Sequence, residues 1–126
     1  MLNGKSLLIT GGTGSLGNAL VNRILKQYPD IDRLVVFSRD EQKQYHMEKK
    51  YPVSKHPALR YFIGDVRDAK RVNKAMKKID YVIHTAAMKH VPIAEYNPME
   101  CIKTNIHGAE NVIKASINNN VEKTCF

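Results

Sequence analysis

Residues Lys5 to Gly17 read KSLLITGGTGSLG, and the fold follows from this stretch. Leu7, Leu8 and Ile9 form the short apolar run expected of a buried strand. Thr10 to Gly17 then reads as a tight turn that opens a helix. Gly12, Gly14 and Gly17 fit G-x-G-x-x-G, while Thr10, Gly11, Gly14 and Gly17 fit T-G-x-x-G-x-x-G. Between a strand and a helix, glycine serves three ends: it makes the turn, lets a pyrophosphate approach the backbone, and lets the helix pack closely on the strand. The first amides of the helix and its positive dipole end would then face the phosphates. Gly11, Gly12, Thr13, Gly14, Ser15, Leu16 and Gly17 are therefore candidate cofactor contacts. The competing reading is a glycine turn with no ligand.

Strand and helix alternate along the rest of the chain. A helix with Leu16, Leu20, Ile24 and Leu25 on one side stops near Tyr28 and Pro29, and Arg33 to Ser38 follows as a strand buried on both faces. Asp40 to Tyr51 is polar and helical, and Leu59 to Ile63 is a third strand. Asp68 is placed to cap a helix whose Val72, Ala75, Met76 and Ile79 form one stripe. Asp80 to His84 is a fourth strand, followed by an irregular segment from Thr85 to Tyr96. Asn97, Pro98 and Glu100 mark a helix start, with Ile102, Ile106, Ala109 and Ile113 on its buried side and an end at Asn118 to Asn120. Val121 to Phe126 begins a fifth strand. This rhythm predicts an α/β fold: a Rossmann-like, doubly wound parallel sheet of order 3-2-1-4-5, truncated in strand 5. Residues 1–126 read as the N-terminal part of a nucleotide-binding domain without a substrate domain, and the stop inside a strand reads as a truncated parent.

Composition narrows the classes. The 126 residues suffice for one domain with a real core and fall short of a complete dinucleotide-dependent enzyme. No segment approaches the roughly 20 apolar residues of a membrane span, and no signal peptide is expected. Cys101 and Cys125, without close spacing, point to reduced thiols and a cytoplasmic location. His46, His56, His84, His90 and His107 make no ligating pattern, so no metal is expected. The net charge of +8 comes from Lys43 to Lys55 and Lys70 to Lys78, on faces that amphipathic helices would solvate. No aromatic residues interleave there, which argues against nucleic acid.

The end of strand 2 bears on the choice of dinucleotide. An acidic residue there would take ribose hydroxyls and select NAD. Here the strand closes on Ser38, Arg39 and Asp40, with Lys43 a turn further on. Arg39 can stack on adenine and bond a 2′-phosphate, Lys43 can add a charge and Ser38 a hydroxyl, which favours NADP. Asp40 is the counter-indication, unless it caps the next helix. Arg39 and Lys43 as merely solvated charges remain the alternative. Asp65 is placed to accept from the adenine amino group while Val66 packs the ring, or else is a plain turn aspartate.

Thr10 to Gly17, Gly64-Asp65-Val66 and Thr85-Ala86-Ala87 together resemble the extended short-chain dehydrogenase/reductase superfamily. Ser38 to Gln44, Ile63 to Asp68, Lys89 to Pro98 and Lys103 to Ile106 narrow the likeness. With them the whole chain is similar to the inverting UDP-N-acetylglucosamine 4,6-dehydratases of the polysaccharide-biosynthesis (CapD-like) group. The resemblance implies oxidation at C4 of the sugar by NADP, loss of water across C5 and C6, hydride return to C6 and inversion at C5. It implies a place in surface polysaccharide or flagellin glycan synthesis, and a homo-oligomer when complete. It also implies that Thr85, Ala86, Ala87 and Lys89 line the route from cofactor to UDP-sugar, that Lys89 meets a phosphate or the sugar, and that His90 neighbours the substrate. Lys89 as a solvated loop lysine and His90 as a structural histidine stay open. Asn105 matches a helix asparagine that organises the superfamily's active-site backbone.

The superfamily's catalytic Tyr-x-x-x-Lys and the dehydratase's Thr-Asp-Lys follow strand 5, so no catalytic residue is expected in this chain. Tyr45/Lys49 and Tyr51/Lys55 match the spacing. The first pair falls at the adenine end, and the second contains Pro52, which breaks the helix that would join them. Without a proton-transfer group near the sugar, the chain alone is expected to be inactive. The competing functions are a nucleotide-sugar epimerase of the same superfamily, a non-catalytic NADP-binding module, and a basic scaffold without ligand.

Overall fold

The computed structural model describes residues 2–85 and 106–126. Its elements are β1 (Ser6–Thr10), α1 (Ser15–Gln27), β2 (Arg33–Ser38), α2 (Glu41–Lys50), β3 (Leu59–Ile63), α3 (Ala69–Ala75), β4 (Tyr81–His84), α4 (Gly108–Asn118) and β5 (Lys123–Cys125). The five strands form one sheet in the order β3-β2-β1-β4-β5, as the sequence predicts. All four ladders are parallel, and β1 pairs with β2 on one side and β4 on the other. All five residues of β1 are buried, so its unbroken apolar run fits the centre of a sheet covered on both faces.

Alternation along the strands divides the interior into two cores. Leu8, Val35, Phe37 and Val82 pack with Val72, Met76, Val112 and Ala115 on the face covered by α3 and α4. Leu7, Ile9, Leu34, Val36 and Leu59 pack with Val21, Ile24 and Met47 on the face covered by α1 and α2. Burying side chains of this size stabilises by about 1.5–3 kcal/mol each before chain entropy is counted.

Several local expectations hold to the residue. Asp40 and Asp68 cap α2 and α3, each accepting from the backbone N–H three residues on, of Lys43 at 3.0 Å and of Arg71 at 3.2 Å. α1 ends at Tyr28, whose N–H donates to the Ile24 carbonyl. Val72, Ala75, Met76 and Ile79 are all buried, although α3 stops at Ala75 and a left-handed Lys78 (φ 61°) turns the chain before Ile79.

Two helix faces differ from the sequence reading. On α1 the buried residues are Gly17, Val21 and Ile24, while Leu16 is 57% exposed. On α4 they are Gly108, Val112, Ala115 and Ser116, while Ile106 and Ile113 are exposed. In both cases a helix approaches through its smallest residues. A Cβ on Gly17 would lie 2.2 Å from the Gly12 carbonyl oxygen, and one on Gly108 would lie 2.7 Å from Val66 Cγ2. Ile102 lies outside the described residues, as do most of the segment expected to be irregular and the helix start at Asn97.

Candidate functional site

The sequence-predicted residues that are described gather at the carboxyl ends of β1 to β4. Gly11, at φ +66°, turns the chain out of β1 in a conformation that L side chains rarely adopt. Its N–H donates to the Phe37 carbonyl at 2.8 Å, which ties the turn to β2. The Asn18 side-chain amide donates to the carbonyls of Thr13 and Gly14, both at 3.0 Å. Those carbonyls are thereby held toward α1. Asn18 was not legible as a site residue, since an asparagine in a first helical turn ordinarily signals only a weak helix former.

Gly14 is the N-cap of α1, no side chain caps this helix, and its first turn carries no acid. The glycines here divide by role. Gly12 and Gly17 are demanded by packing, since a Cβ on Gly12 would lie 2.8 Å from Val36 Cγ1 and one on Gly17 would strike backbone. Gly14 has φ −74°, and an added Cβ would meet nothing closer than the Gly11 carbonyl oxygen at 3.5 Å. The fold itself would tolerate alanine there. The room that side chain would take lies at the positive end of a helix dipole, which fits a phosphate group.

The end of β2 is stitched to this turn. Thr13 and Ser38 share a buried hydroxyl–hydroxyl bond of 2.8 Å, and Ser38 Oγ also accepts from the Asp40 N–H at 3.2 Å. Ser38 therefore shapes the loop rather than presenting its hydroxyl outward. Gln44, nearly fully buried, donates its side-chain amide to the Ser38 and Phe62 carbonyls at 3.1 and 3.0 Å. It locks the ends of β2 and β3 together, a role the sequence reading missed because a glutamine on a polar helix looks like surface. Thr13, Gly14, Ser15, Asn18, Lys43, His46, Met47 and Lys50 line a groove of about 390 Å³ between α1 and α2. Lys43 and Lys50 make its α2 wall basic.

Asp65 follows β3. Arg67 donates to both of its carboxylate oxygens, and Arg39 Nη1 lies 3.8 Å from Oδ2. Partial burial raises the carboxyl's pKa, but the hydrogen bonds and charge of Arg67 and the charge of Arg39 outweigh it and leave it below the ordinary value. Val66 is buried in the core, with its carbonyl accepting from Asn111 at 2.8 Å. Its side chain packs beside Gly108.

At the ends of β1 and β4, Thr10 Oγ1 lies 2.6 Å from His84 Nδ1 and accepts from the Thr85 N–H at 3.1 Å. Burial lowers the His84 pKa and favours a neutral ring. Thr85 is thus fixed at the expected switch point, and Ala86, Ala87, Lys89, His90 and Asn105 lie outside the described residues. Lys49 Nζ stands 4.5 Å over the Tyr45 ring on exposed α2, so that pair belongs to a helix surface. Tyr51 is the residue that ends α2, and Lys55 lies beyond Pro52. Among the described residues there is no cluster of three metal-ligating side chains and no helix long and apolar enough to cross a membrane.

Comparison with known proteins agrees with this geometry. The chain is 57% identical over 123 residues to a UDP-N-acetylglucosamine 4,6-dehydratase (inverting) of Campylobacter jejuni, covering 98% of this chain and 36% of that protein. It is 51% identical over 121 residues to a UDP-glucose 4-epimerase of Rickettsia akari, covering 94% of this chain and 35% of that protein. The chain thus spans little more than a third of the length of these relatives. Among solved structures, Pen from Bacillus thuringiensis matches at TM-score 0.91 and 43% identity, over 98% of this chain and 37% of that one. The dTDP-glucose 4,6-dehydratase DesIV of Streptomyces venezuelae, solved with NAD bound, matches at TM-score 0.79 and 27% identity, over 94% of this chain and 38% of that one. Residues 7–126 match the family described as polysaccharide biosynthesis protein, and the chain belongs to that family.

Proposed function

We propose that this chain is the cofactor-binding portion of an NADP-dependent, inverting UDP-N-acetylglucosamine 4,6-dehydratase. The observation that carries the cofactor site is Gly14, a glycine the fold does not need, set at an uncapped helix start without acids. In this reading the backbone from Gly11 to Gly17 holds the pyrophosphate, with Leu16 at the exposed lip. Arg39 and Lys43 hold the 2′-phosphate, and Ser38 holds the turn that carries them. Asp40 is spent on capping α2, so the carboxylate that would have favoured NAD is engaged by the Lys43 N–H. Asp65 takes the adenine amino group. Val66 contributes by anchoring that turn in the core. Thr85, Ala86, Ala87 and Lys89 lead toward the nicotinamide and the UDP-sugar, with His90 beside it. The nicotinamide supplies reversible hydride transfer at the sugar. This chain binds the cofactor and, with no tyrosine–lysine pair at the ends of β1 and β4 among the described residues, turns over no sugar by itself.

Calorimetric titration with NADP⁺ and NAD⁺ tests the cofactor site. NADP⁺ is expected to bind at least about tenfold tighter, the worth of one charge-assisted phosphate contact, and Arg39→Ala to remove that preference. Equal affinity for the two in the unaltered chain would sink the assignment.

The second reading, a UDP-sugar 4-epimerase, is favoured by the identity to the Rickettsia akari protein. Supplying UDP-N-acetylglucosamine to the protein as its gene encodes it decides between them. A 4-keto-6-deoxy sugar supports the dehydratase, and a C4 epimer that keeps its 6-hydroxyl supports the epimerase.

A further inference from the structure

The groove between α1 and α2 is one-sided in charge. Its α2 wall carries Lys43, His46 and Lys50 at i, i+3 and i+7, which is one face of the helix. Its α1 wall offers Ser15 and Asn18, neither of which titrates, and among the described residues no carboxylate lines it. Asp40 is occupied by the Lys43 N–H at 3.0 Å, and Glu41 and Glu48 of α2 lie outside the lining. Arg39, at the end of β2, is drawn to Asp65 at 3.8 Å. On the β3 side of α2, the Tyr61 hydroxyl donates to the Met47 and Tyr51 carbonyls, and Glu48 is the charge that acts on that phenol.

The groove is also short of exposed acceptors. The Asn18 amide draws the Thr13 and Gly14 carbonyls toward α1, and the Thr13 hydroxyl is engaged with Ser38. Cations on one wall and tied-down acceptors on the other suit an anion. His46 is the member of the basic wall whose charge is conditional. Its side chain is exposed, with the ring edge-on to Tyr45 at 5.8 Å. An imidazole that faces a bound dianion favours its protonated form.

We infer that His46 is a specificity-determining residue of this groove: it gains a proton when a phosphate monoester enters, so the preference for a dinucleotide carrying a 2′-phosphate strengthens as pH falls. The inference rests on the dinucleotide reading above, in which Lys43 helps to hold that phosphate. The proton comes from solvent, so affinity rises in acid by at most about tenfold per pH unit for one proton. The phosphate's own second ionisation, at about pH 6, works the other way, because acid removes charge from the ligand. It does so whatever stands at position 46, and a comparison between variants isolates the imidazole.

The test is calorimetric titration of the protein as its gene encodes it, with NADP⁺ and NAD⁺, at about pH 8.5 and about pH 6.5, on either side of the range in which a histidine facing an anion charges. The variants are His46→Gln and His46→Lys, and because the side chain is exposed neither empties the core. The advantage of the unaltered protein over His46→Gln for NADP⁺ is expected to grow about three- to tenfold from the higher pH to the lower, with none for NAD⁺ at either. His46→Lys is expected to bind NADP⁺ tightly at both, since its charge does not titrate there. In buffers of different ionisation enthalpy, NADP⁺ binding should take up part of a proton, and His46→Gln should abolish that uptake. An advantage that does not change with pH, or that changes equally for NAD⁺, overturns the role of His46 and leaves the NADP assignment standing wherever NADP⁺ still binds tighter. Equal affinity for the two ligands at both pH values sinks the NADP assignment and the role of His46 with it.

Discussion

α1 and α2 begin side by side, joined through the Thr13–Ser38 hydroxyl bond, yet their first turns are finished in opposite ways. α2 carries its own anion: Asp40 accepts from the Lys43 N–H, and Glu41 adds a second negative charge in the first turn. α1 has Gly14 at the same position, no capping side chain and no acid. Every helix start has amide donors to satisfy and a positive end to complement. Asp40 meets that need from within the chain. The start of α1 has no such side chain, and the neighbouring groove carries Lys43 and Lys50.

The comparison can be broken most forcefully at Gly17. A Cβ there falls 2.2 Å from a backbone oxygen, so Gly17→Ala is expected to cost about 3 kcal/mol or more and to open the turn that both helix starts share. Chemical denaturation measures this, and a loss below about 1 kcal/mol would mean the turn can shift and that the close approach of α1 is not what glycine secures. Exchanging the two starts sharpens it on a smaller scale. Asp40→Ala should lower stability by about 1 kcal/mol, whereas Gly14→Asp should cap α1 and leave stability equal or raised by up to about 1 kcal/mol. The same Gly14→Asp should abolish dinucleotide binding, because the aspartate supplies the anion that the helix start otherwise takes from a ligand. Retained binding in that variant would show that the phosphates lie elsewhere.

The strands and most helix limits were legible because they are written in apolar runs and turn residues that sheet burial enforces locally. The glycine turn was legible because glycine is chemically distinctive. What was misread follows from one cause. Leu16 and Ile113 were placed inward because large apolar residues dominate a periodicity count, but α1 and α4 come so near their neighbours that the contact positions hold Gly17 and Gly108, Ala115 and Ser116. Close approach selects for small side chains and turns the isoleucines of α4 outward. Gln44, Asn18 and Arg67 were missed for a different reason. Asn18 and Gln44 act through hydrogen bonds to carbonyls of a turn or of strand ends, and Arg67 through bonds to the Asp65 carboxylate two residues back, none of which a spacing rule along one helix reveals.

The place of β1 has a consequence for how the protein is made. β1 leaves the ribosome before both strands that flank it, yet it ends at the centre of the sheet. Thr10 must wait for His84, 74 residues later, before its second ladder can close. At roughly 5–20 residues per second, one side of the most apolar strand stays without its partner for about 4–15 s. Limited proteolysis of stalled nascent chains should find β1 protected only once β4 has emerged, and earlier protection would mean that β1 and β2 form a stable unit by themselves. In that interval the growing chain presents an open, apolar strand edge, the kind of surface on which unfolded chains associate.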